Sequence, residues 1–277
     1  MNVERAWLSG ASIIAAWMTF STPCAAQQAG PPNHPDWAFG APLGEALLVL
    51  SAAASNLTTY LPIGRPGWGP DAHHEHNKTA DRVSDFTGAY GGLTLGMIGG
   101  FAFETGYYEE AQVRGSAVYA GRTTVVDAES ILFSAAIVQG LKRVTARCRP
   151  HHFVNGKCTS TVHDAFPSGH TAPMGALAGT RLVFAAQSAG PWGYRWGAFA
   201  MVETMALTTA WLRVFAGKHS WSDVAAGYLI GHAVGALVAL AHPMKSVPRG
   251  DRKSEPTQST GQSLEGTPIG FTIQGVF

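Results

Sequence analysis

The stretch PSGHTAPMGALAGTRLVFAAQ, residues 167–187, is a tight turn followed by a long run of small and apolar residues. The run from Thr171 to Gln187 predicts a helix, and the turn brings free backbone amides to the positive end of the helix dipole. A helix start of this kind is a ready site for an anion. Ser168 can cap the helix and donate to an oxyanion, Gly169 lets the backbone approach closely, and His170 can give a proton to a leaving-group oxygen.

A basic block precedes this turn. Lys142 closes an apolar segment, Ile131 to Leu141, that predicts a buried helix, and Arg149 follows seven residues later with a proline directly after it. The proline disfavours helix at Arg149. A guanidinium offers a planar fork matched to a tetrahedral oxyanion, and a lysine adds a compact point charge. Because Arg143 and Arg147 lie beside them, a basic juxtamembrane or surface cluster is the alternative.

A third block lies downstream and contains Arg213, His219 and Asp223. His219 and Asp223 are four residues apart, so on a helix they share a face. Asp223 can then bond one imidazole nitrogen, fix the tautomer and leave the other nitrogen free to attack. Arg213 precedes the short break at residues 216–218 and can return to the same anion. The alternative is a surface His-Asp pair that contributes only a few tenths of a kcal/mol.

The three blocks together contain three fixed cations, a turn with amide donors, two imidazoles and one carboxylate. That inventory is sufficient to hold a phosphate-like oxyanion and to transfer it through a histidine. Each block alone has an ordinary explanation, but their occurrence together and in this order favours a phosphate site. Such a site needs no metal, because phosphoryl transfer depends mainly on positioning and charge stabilisation.

The chain resembles the type 2 phosphatidic acid phosphatase superfamily, which includes bacterial acid phosphatases, lipid phosphatases and vanadium haloperoxidases. The family pattern is K-x6-R-P, P-S-G-H and S-R-x5-H-x3-D. Here the motifs read KRVTARCRP at 142–150, PSGH at 167–170 and LRVFAGKHSWSD at 212–223. The resemblance covers about residues 124–241. Leu212 departs from the pattern, since the family usually has a serine before the arginine, and this departure implies a lost supporting hydrogen bond.

The resemblance implies a role for each motif residue. His219 is the expected nucleophile that forms a phosphohistidine, Asp223 the residue that orients it, and His170 the general acid for the leaving group. The residues expected to hold the phosphoryl oxygens are Lys142, Arg149, Ser168, Gly169 and Arg213. The expected reaction is hydrolysis of phosphate monoesters or of lipid phosphates and pyrophosphates, with no cofactor.

Two other functions stay open. A vanadium-dependent, haloperoxidase-like enzyme would use the same pocket to bind vanadate, although the chain is short for that branch. A non-catalytic, membrane-associated helical protein would keep the motifs only to bind an anion. The presence of His170, His219 and Asp223 favours an enzyme over this last alternative.

A histidine-rich run, His73 to His76, suggests a metal cluster. It lies in a Pro/Gly-rich loop, residues 64–77, without paired cysteines. Histidine-rich tracts are only compositional indications of metal binding. We therefore assign no metal ligand to this run.

Residues 1–26 predict a secretory signal peptide, because Arg5 precedes an apolar stretch and small residues end the segment. An uncleaved first membrane helix is the alternative. Export places the protein in the bacterial periplasm, where the two remaining cysteines, Cys148 and Cys158, are expected to form a disulfide. This bridge would close a loop of about 11 residues and pin the segment that carries Arg149.

Charged residues make up 13% of the chain, and the net charge of +1 gives no reason to expect a nucleic-acid partner. The expected fold is all-α, a helical bundle with the active site formed by helix ends and loops on one face. Charges such as Asp127, Arg181 and Glu203 within the apolar segments favour a soluble or membrane-associated protein over a multi-span one. Apolar helices are expected at 45–61, 89–103, 125–141, 171–187, 196–212 and 224–242.

These helices predict one phosphatase domain, residues 42–242. A Pro-rich lead-in, residues 27–41, precedes it. The C-terminal tail, residues 243–277, is charged and rich in Ser, Thr and Gln, and is expected to be largely disordered. Alternation at 269–273 near the end predicts a short terminal strand.

Overall fold

The computed structural model describes residues 35–37, 69–71, 75–110, 115–161, 163–188, 192–242 and 244–246. Within these residues the chain is mainly helical, which confirms the all-α class. The expected signal peptide, the expected helix at 45–61, the terminal strand at 269–273 and the tail beyond residue 246 lie outside the described residues. The helices are α1 (Lys78–Asp85), α2 (Gly91–Glu110), α3 (Ser116–Thr145), α4 (Thr171–Gln187), α5 (Trp192–Phe215) and α6 (Trp221–Ala241).

The part of the chain that the structure describes also contains four short strands. Strand β1 (Pro35–Trp37) pairs antiparallel with β4 (Met244–Ser246), so that Pro35 lies opposite Ser246. Strands β2 (Phe153–Val154) and β3 (Lys157–Cys158) form a small hairpin after a 3-10 turn at Pro150–His152. Strand β1 lies within the expected Pro-rich lead-in, and β4 lies at the start of the expected tail.

Helix α4 lies at the centre of the bundle, and nearly all of its side chains are buried. It packs most closely against α6, where Gly227, Gly231 and Gly235 recur every fourth residue. A Cβ at Gly231 would overlap the carbonyl oxygen of Ala172, so the two backbones cross in direct contact. Small residues at this spacing let helices approach closely without large side chains between them.

The other faces of α4 are covered by larger side chains. Met174 and Leu177 pack with Val202 of α5 in one buried cluster. Val126 of α3 and Phe184 lie in a second cluster. These contacts hold α3 and α5 against α4, so the ends of all three helices keep fixed positions.

The chain before α2 differs from the sequence expectation. No helix was predicted between the loop at 64–77 and residue 89, but α1 begins at Lys78. Its N-cap is Asn77, whose side chain accepts from the backbone N–H groups of Thr79 and Ala80. A π-helical turn, Phe86–Tyr90, then joins α1 to α2. Single π turns inside helices frequently mark functional sites.

The charges that argued against membrane spans lie between helices, where Asp127 and Arg181 are buried and Glu203 is partly buried. Arg181 of α4 pairs with Glu104 of α2 and Asp127 of α3. On the other side, Glu203 of α5 lies 3.1 Å from the ring of His232. Because these charges are satisfied between helices, they do not stand on the outer faces.

The outer faces of the helices are apolar. The large exposed side chains of α6 include Trp221, Leu229, Leu237 and Leu240. By length and composition, three segments of the described chain are long and apolar enough to cross a membrane: 116–152, 192–215 and 221–241. In the sequence, only the apolar segment at 224–242 approaches an uninterrupted span of the length that a bilayer needs, because the other segments are short or carry charges.

Candidate active site

The structure brings the three sequence blocks together at one end of the bundle. The block from Lys142 to Arg149 follows the C-terminal end of α3, and the turn at 167–170 precedes α4. Arg213 lies in the last turn of α5, and His219 lies just before α6. The site is therefore built from helix ends and loops, as the sequence predicted for this fold.

His219 is 1% exposed, and its Nδ1 lies 2.7 Å from the carbonyl oxygen of Ala165. The Asp223 carboxylate is farther away, with Oδ2 3.8 Å from the same nitrogen. Burial lowers the pKa of His219 well below its ordinary value, and the positive charges of Arg213 and Arg149 lower it further. The imidazole is therefore held neutral at neutral pH.

The expected pairing of His219 with Asp223 is seen only as this 3.8 Å contact, because the two residues do not share a helix. His219 precedes the helix, Ser220 is the N-cap of α6, and Asp223 lies in its first turn. Asp223 Oδ2 accepts from the backbone N–H of Ser220 at 2.7 Å, which forms a capping box. The other oxygen, Oδ1, accepts from Arg147 at 2.7 Å. Both oxygens of Asp223 are thus engaged in holding the start of α6.

Arg147 is buried and joins three parts of the chain. Its Nη1 donates to Asp223 and to Ser222 Oγ, its Nη2 donates to Asp71 Oδ1 at 2.5 Å, and its Nε donates to the carbonyl of Gly69. Asp71 also accepts from Ser222 Oγ at 2.5 Å. Arg147 therefore fixes the loop at 69–71 against the start of α6, directly behind His219.

Arg149 and Lys142 meet around one carboxylate. Arg149 donates from Nε and Nη2 to the two oxygens of Asp164, each at 2.7 Å. Lys142 Nζ lies 4.0 Å from Asp164 Oδ2 and also lies against the backbone of Gly169. Burial raises the pKa of Asp164, but the hydrogen bonds and charge of Arg149 outweigh burial, and the pKa lies below its usual value.

Arg213 points into the site and pairs with α1. Its Nη1 donates to Asp85 Oδ1 at 2.6 Å, to Ser84 Oγ at 3.1 Å and to Asp81 Oδ1 at 3.2 Å. Its Nε is buried and has no hydrogen-bond partner within the described chain. One edge of the guanidinium is thus held by carboxylates, while a further donor is left for an anion.

His170 lies between α1 and the cations. Its Nε2 is 3.2 Å from Asp85 Oδ1, and the π turn packs against its ring, because a Cβ at Gly88 would lie 2.9 Å from the Cβ of His170. Burial lowers the pKa of His170 to about 3, and the charges of Arg213 and Lys142 contribute in the same direction.

Ser168 does not cap α4, contrary to expectation. The N-cap of this helix is His170, although its bounds, Thr171–Gln187, are those the sequence predicted. The backbone N–H of Ser168 donates to the carbonyl of Asp223 at 2.9 Å. Its Oγ is buried and has no partner among the residues the structure describes, so this hydroxyl is a donor available to an oxyanion.

A disulfide joins Cys148 to Cys158, with Cα atoms 6.0 Å apart. Cys148 directly precedes Arg149, so the bridge ties the loop that carries this cation to the β2–β3 hairpin. Arg149 itself is extended, with φ −72° and ψ 144°, as expected before a proline.

The histidines near the site do not form a metal cluster in the described part of the chain. His76 bonds Asp81 through Nε2 at 3.0 Å and stacks on His151, while His73 and His74 lie outside the described residues. The grouping of possible ligand atoms found there is Cys148, Cys158 and His163. Its two cysteines are bonded to each other, so they offer no thiolate to a metal.

Sequence reasoning missed several residues of this site. Asp164 and Ala165 lie three and two residues before the first residue of the PSGH turn. The signal that could have identified this segment is an acidic residue close in sequence to several expected cations. Asp81, Ser84 and Asp85 lie on one face of α1. Their spacing of three and four residues after the Asn77 cap indicates a polar helix face.

A comparison with protein families places this geometry in context. Residues 126–246 match the model of the PAP2 superfamily, and this range contains all three sequence blocks. A comparison with curated proteins found no match. Members of the superfamily are typically phosphatases. Helices α4, α5 and α6 fall within the matched range, as does α3 from residue 126 onward. Over residues 126–246, which are less than half of its length, this chain is therefore similar to the PAP2 superfamily.

Proposed function

We propose that the protein is a metal-independent phosphatase that hydrolyses phosphate monoesters, in particular lipid phosphates or pyrophosphates, through a phosphohistidine on His219. The observation that carries this proposal is the 2.7 Å contact between Nδ1 of His219 and the carbonyl of Ala165. Because a carbonyl only accepts, Nδ1 carries the hydrogen and Nε2 keeps its lone pair for attack on phosphorus. The lowered pKa of His219 keeps this ring neutral and nucleophilic.

The charges around His219 support binding of a phosphoryl group. Lys142, Arg149 and Arg213 lie in one buried to half-buried cluster and are engaged by carboxylates. A phosphoryl dianion can replace Asp164 and Asp85 on these cations, since it presents more negative charge and three acceptor oxygens. The unpartnered Oγ of Ser168 then supplies a further hydrogen bond.

The reaction proceeds in two balanced steps. In the first, a bond forms between Nε2 of His219 and phosphorus, the bond to the leaving oxygen breaks, and His170 gives its proton to that oxygen. In the second, His170 takes a proton from water as the water oxygen attacks phosphorus. The phosphorus–nitrogen bond then breaks, and inorganic phosphate leaves with His219 neutral again.

The outer surface of the bundle supports a lipid substrate. Along α6 the exposed positions are all apolar, whereas a helix facing water carries polar residues on that side. They include Trp221, Ala225, Leu229, Ala233 and Leu237. Exposed aromatic residues also stand at the two ends of α5, as is typical of helices that end at membrane surfaces: Trp192, Trp211 and Phe215. We therefore assign α3, α5 and α6 to the membrane, with the His219 end of the bundle at its surface.

The nucleophile is tested by acid-quench trapping with a radiolabelled phosphoester in the presence of a chelator. We expect an acid-labile, base-stable label on the wild type and none on His219→Asn. His152→Ala is the matched control, because His152 lies at the rim of the site, and it should label like the wild type. A label that persists in His219→Asn would overturn the assignment of the nucleophile. No label and no turnover in the wild type would leave the vanadate-dependent and non-catalytic functions.

The lipid substrate is tested separately. In mixed micelles, a long-chain phosphatidate should be hydrolysed with a higher kcat/KM than a short-chain, water-soluble analogue. Alkaline carbonate should fail to extract the protein from membranes, whereas detergent should release it. Equal kcat/KM for the two esters together with release by carbonate would show a soluble phosphatase instead.

A further inference from the structure

We propose that Asp85 is a positioning residue that keeps the proton on His170 until the leaving oxygen takes it, and so lets the enzyme expel poor leaving groups. This inference rests on the proposed phosphohistidine mechanism. It concerns α1, which lies outside the residues that match the family.

The geometry around Asp85 is specific to one nitrogen of His170. Asp85 Oδ1 lies 3.2 Å from Nε2 of His170 and accepts from Nη1 of Arg213 at 2.6 Å. One carboxylate oxygen therefore bridges the expected general acid and a cation that is expected to hold the phosphoryl group. The π turn follows Asp85 directly and brings Gly88 against the His170 ring, which fixes this helix relative to the imidazole.

The charges around His170 make such a partner necessary. Burial and the neighbouring cations oppose protonation, and together they bring the pKa of His170 to about 3. A general acid must carry its proton when the substrate is bound. The charged or titratable groups that face His170 are Arg213 of α5, Lys142 at the end of α3, Arg149 and His219 from the loops, and Asp81 and Asp85 of α1.

Binding of a phosphoester changes both the positive charge around His170 and the contact between Asp85 and Arg213. The phosphoryl dianion offsets the charges of Lys142, Arg149 and Arg213, which removes much of the repulsion on an imidazolium. Asp85, released in part from Arg213, then accepts the Nε2–H of His170 until the leaving oxygen replaces it as the acceptor of this hydrogen. When the bond from phosphorus to that oxygen breaks, the proton moves from Nε2 to the oxygen, and neutral His170 is ready to accept a proton from water in the second step.

The dependence on Asp85 should follow the basicity of the leaving group. A nitrophenolate leaves without a proton, whereas an alkoxide needs one. Loss of the carboxylate should therefore affect alkyl phosphates far more than nitrophenyl phosphate. A purely structural role for Asp85 would lower the rates for both esters equally.

The test measures kcat/KM for nitrophenyl phosphate and for an alkyl phosphate in the full-length protein. In Asp85→Asn, kcat/KM for the alkyl ester should fall about 100-fold, which is the lower part of the range for general acid catalysis, and that for the nitrophenyl ester only a few-fold. The basic limb of the pH profile for the alkyl ester should move to lower pH. Asp85→Glu should recover part of the alkyl activity, because it restores the carboxylate.

Ser84→Ala is the matched control, since Ser84 Oγ also accepts from Nη1 of Arg213 but carries no charge that acts on His170. It should change kcat/KM for both esters by the same small factor. Equal losses for both esters in Asp85→Asn, or the same selective loss in Ser84→Ala, would overturn the inference while leaving the proposed function intact. A wild type that hydrolyses neither ester would overturn the proposed function itself, and the inference with it. Because the Asp85 side chain is 45% exposed, its replacement leaves no buried cavity.

Discussion

The carbonyl oxygen of Ala165 lies 2.7 Å from Nδ1 of His219, closer than the carboxylate of Asp223 at 3.8 Å. A backbone carbonyl thus sets the tautomer of the histidine. The carboxylate holds the first turn of α6 and receives Arg147, so its contribution to the site is mainly to fix where His219 stands.

The first prediction concerns this division of roles. Asp223→Asn retains an acceptor for the Ser220 N–H but leaves Arg147 without its buried charge partner. Breaking a buried ion pair by removing one partner costs about 3–5 kcal/mol, so the thermal midpoint in detergent should fall. Turnover should nevertheless remain well above that of His219→Asn, because Ala165 still holds the tautomer.

Kinetics and thermal unfolding of the two variants check this prediction. Arg143→Met serves as a control for loss of a neighbouring cation that has no role in holding Asp223. An Asp223→Asn protein with an unchanged midpoint and no more activity than His219→Asn would mean that the carboxylate acts directly on the imidazole.

The second prediction concerns the disulfide. Cys148 and Cys158 are separated by ten residues, and closing a loop of this size stabilises a protein by roughly 2–3 kcal/mol in the chain-entropy model. Reduction should lower the thermal midpoint and raise the KM for a phosphoester, because the loop that carries Arg149 is released. The double variant C148S/C158S should reproduce both effects and respond no further to reductant. The same midpoint and KM before and after reduction would rule out this contribution.

The third prediction concerns pH. Burial and nearby cations lower the pKa of His219 in the folded protein well below its ordinary value of 6.5, so acid favours the unfolded state, which binds the proton more readily. The contribution of neutral His219 to the free energy of unfolding is complete above about pH 6.5, and it is lost as the pH falls below that value. The free energy of unfolding should therefore decrease on acidification, and decrease less in His219→Asn. Identical pH dependence in the two proteins would contradict the assigned neutral state.

The fourth prediction concerns the contact between α4 and α6. Gly231→Ala places a methyl group on the carbonyl of Ala172, which is backbone and cannot turn aside. Overpacking of this kind costs typically about 1–3 kcal/mol, so the thermal midpoint should fall. Since α6 carries Asp223, the activity should fall with it.

Gly140→Ala is the matched control in α3, because a Cβ there meets nothing within 4 Å. Alanine is favoured over glycine inside a helix by about 1 kcal/mol, so this variant should be as stable as the wild type or more stable. Equal midpoints for the two glycine variants would show that the helices separate easily at Gly231.

The sequence predicted the main helices because their apolar residues are continuous over many turns. The predicted bounds of α4 agree with the structure at both ends, and the prediction for α6 differs by a few residues. The sequence did not predict α1, which is short and polar. The stability of α1 depends on the Asn77 cap and on contacts between its acidic face and Arg213. Contacts with a residue more than a hundred positions away leave no periodic pattern in the local sequence.

By itself, the sequence of this protein determined the helical class, the chemical groups of the site and the order in which the chain supplies them, since these follow from local periodicity and from motif residues. Only the tertiary structure decided that Ala165 binds His219, that Asp85 bridges His170 and Arg213, and that Arg181 is paired inside the bundle. The physical reason is that hydrogen bonds and ion pairs depend on distances of a few ångströms between helices, and the packing of small residues between α4 and α6 sets those distances.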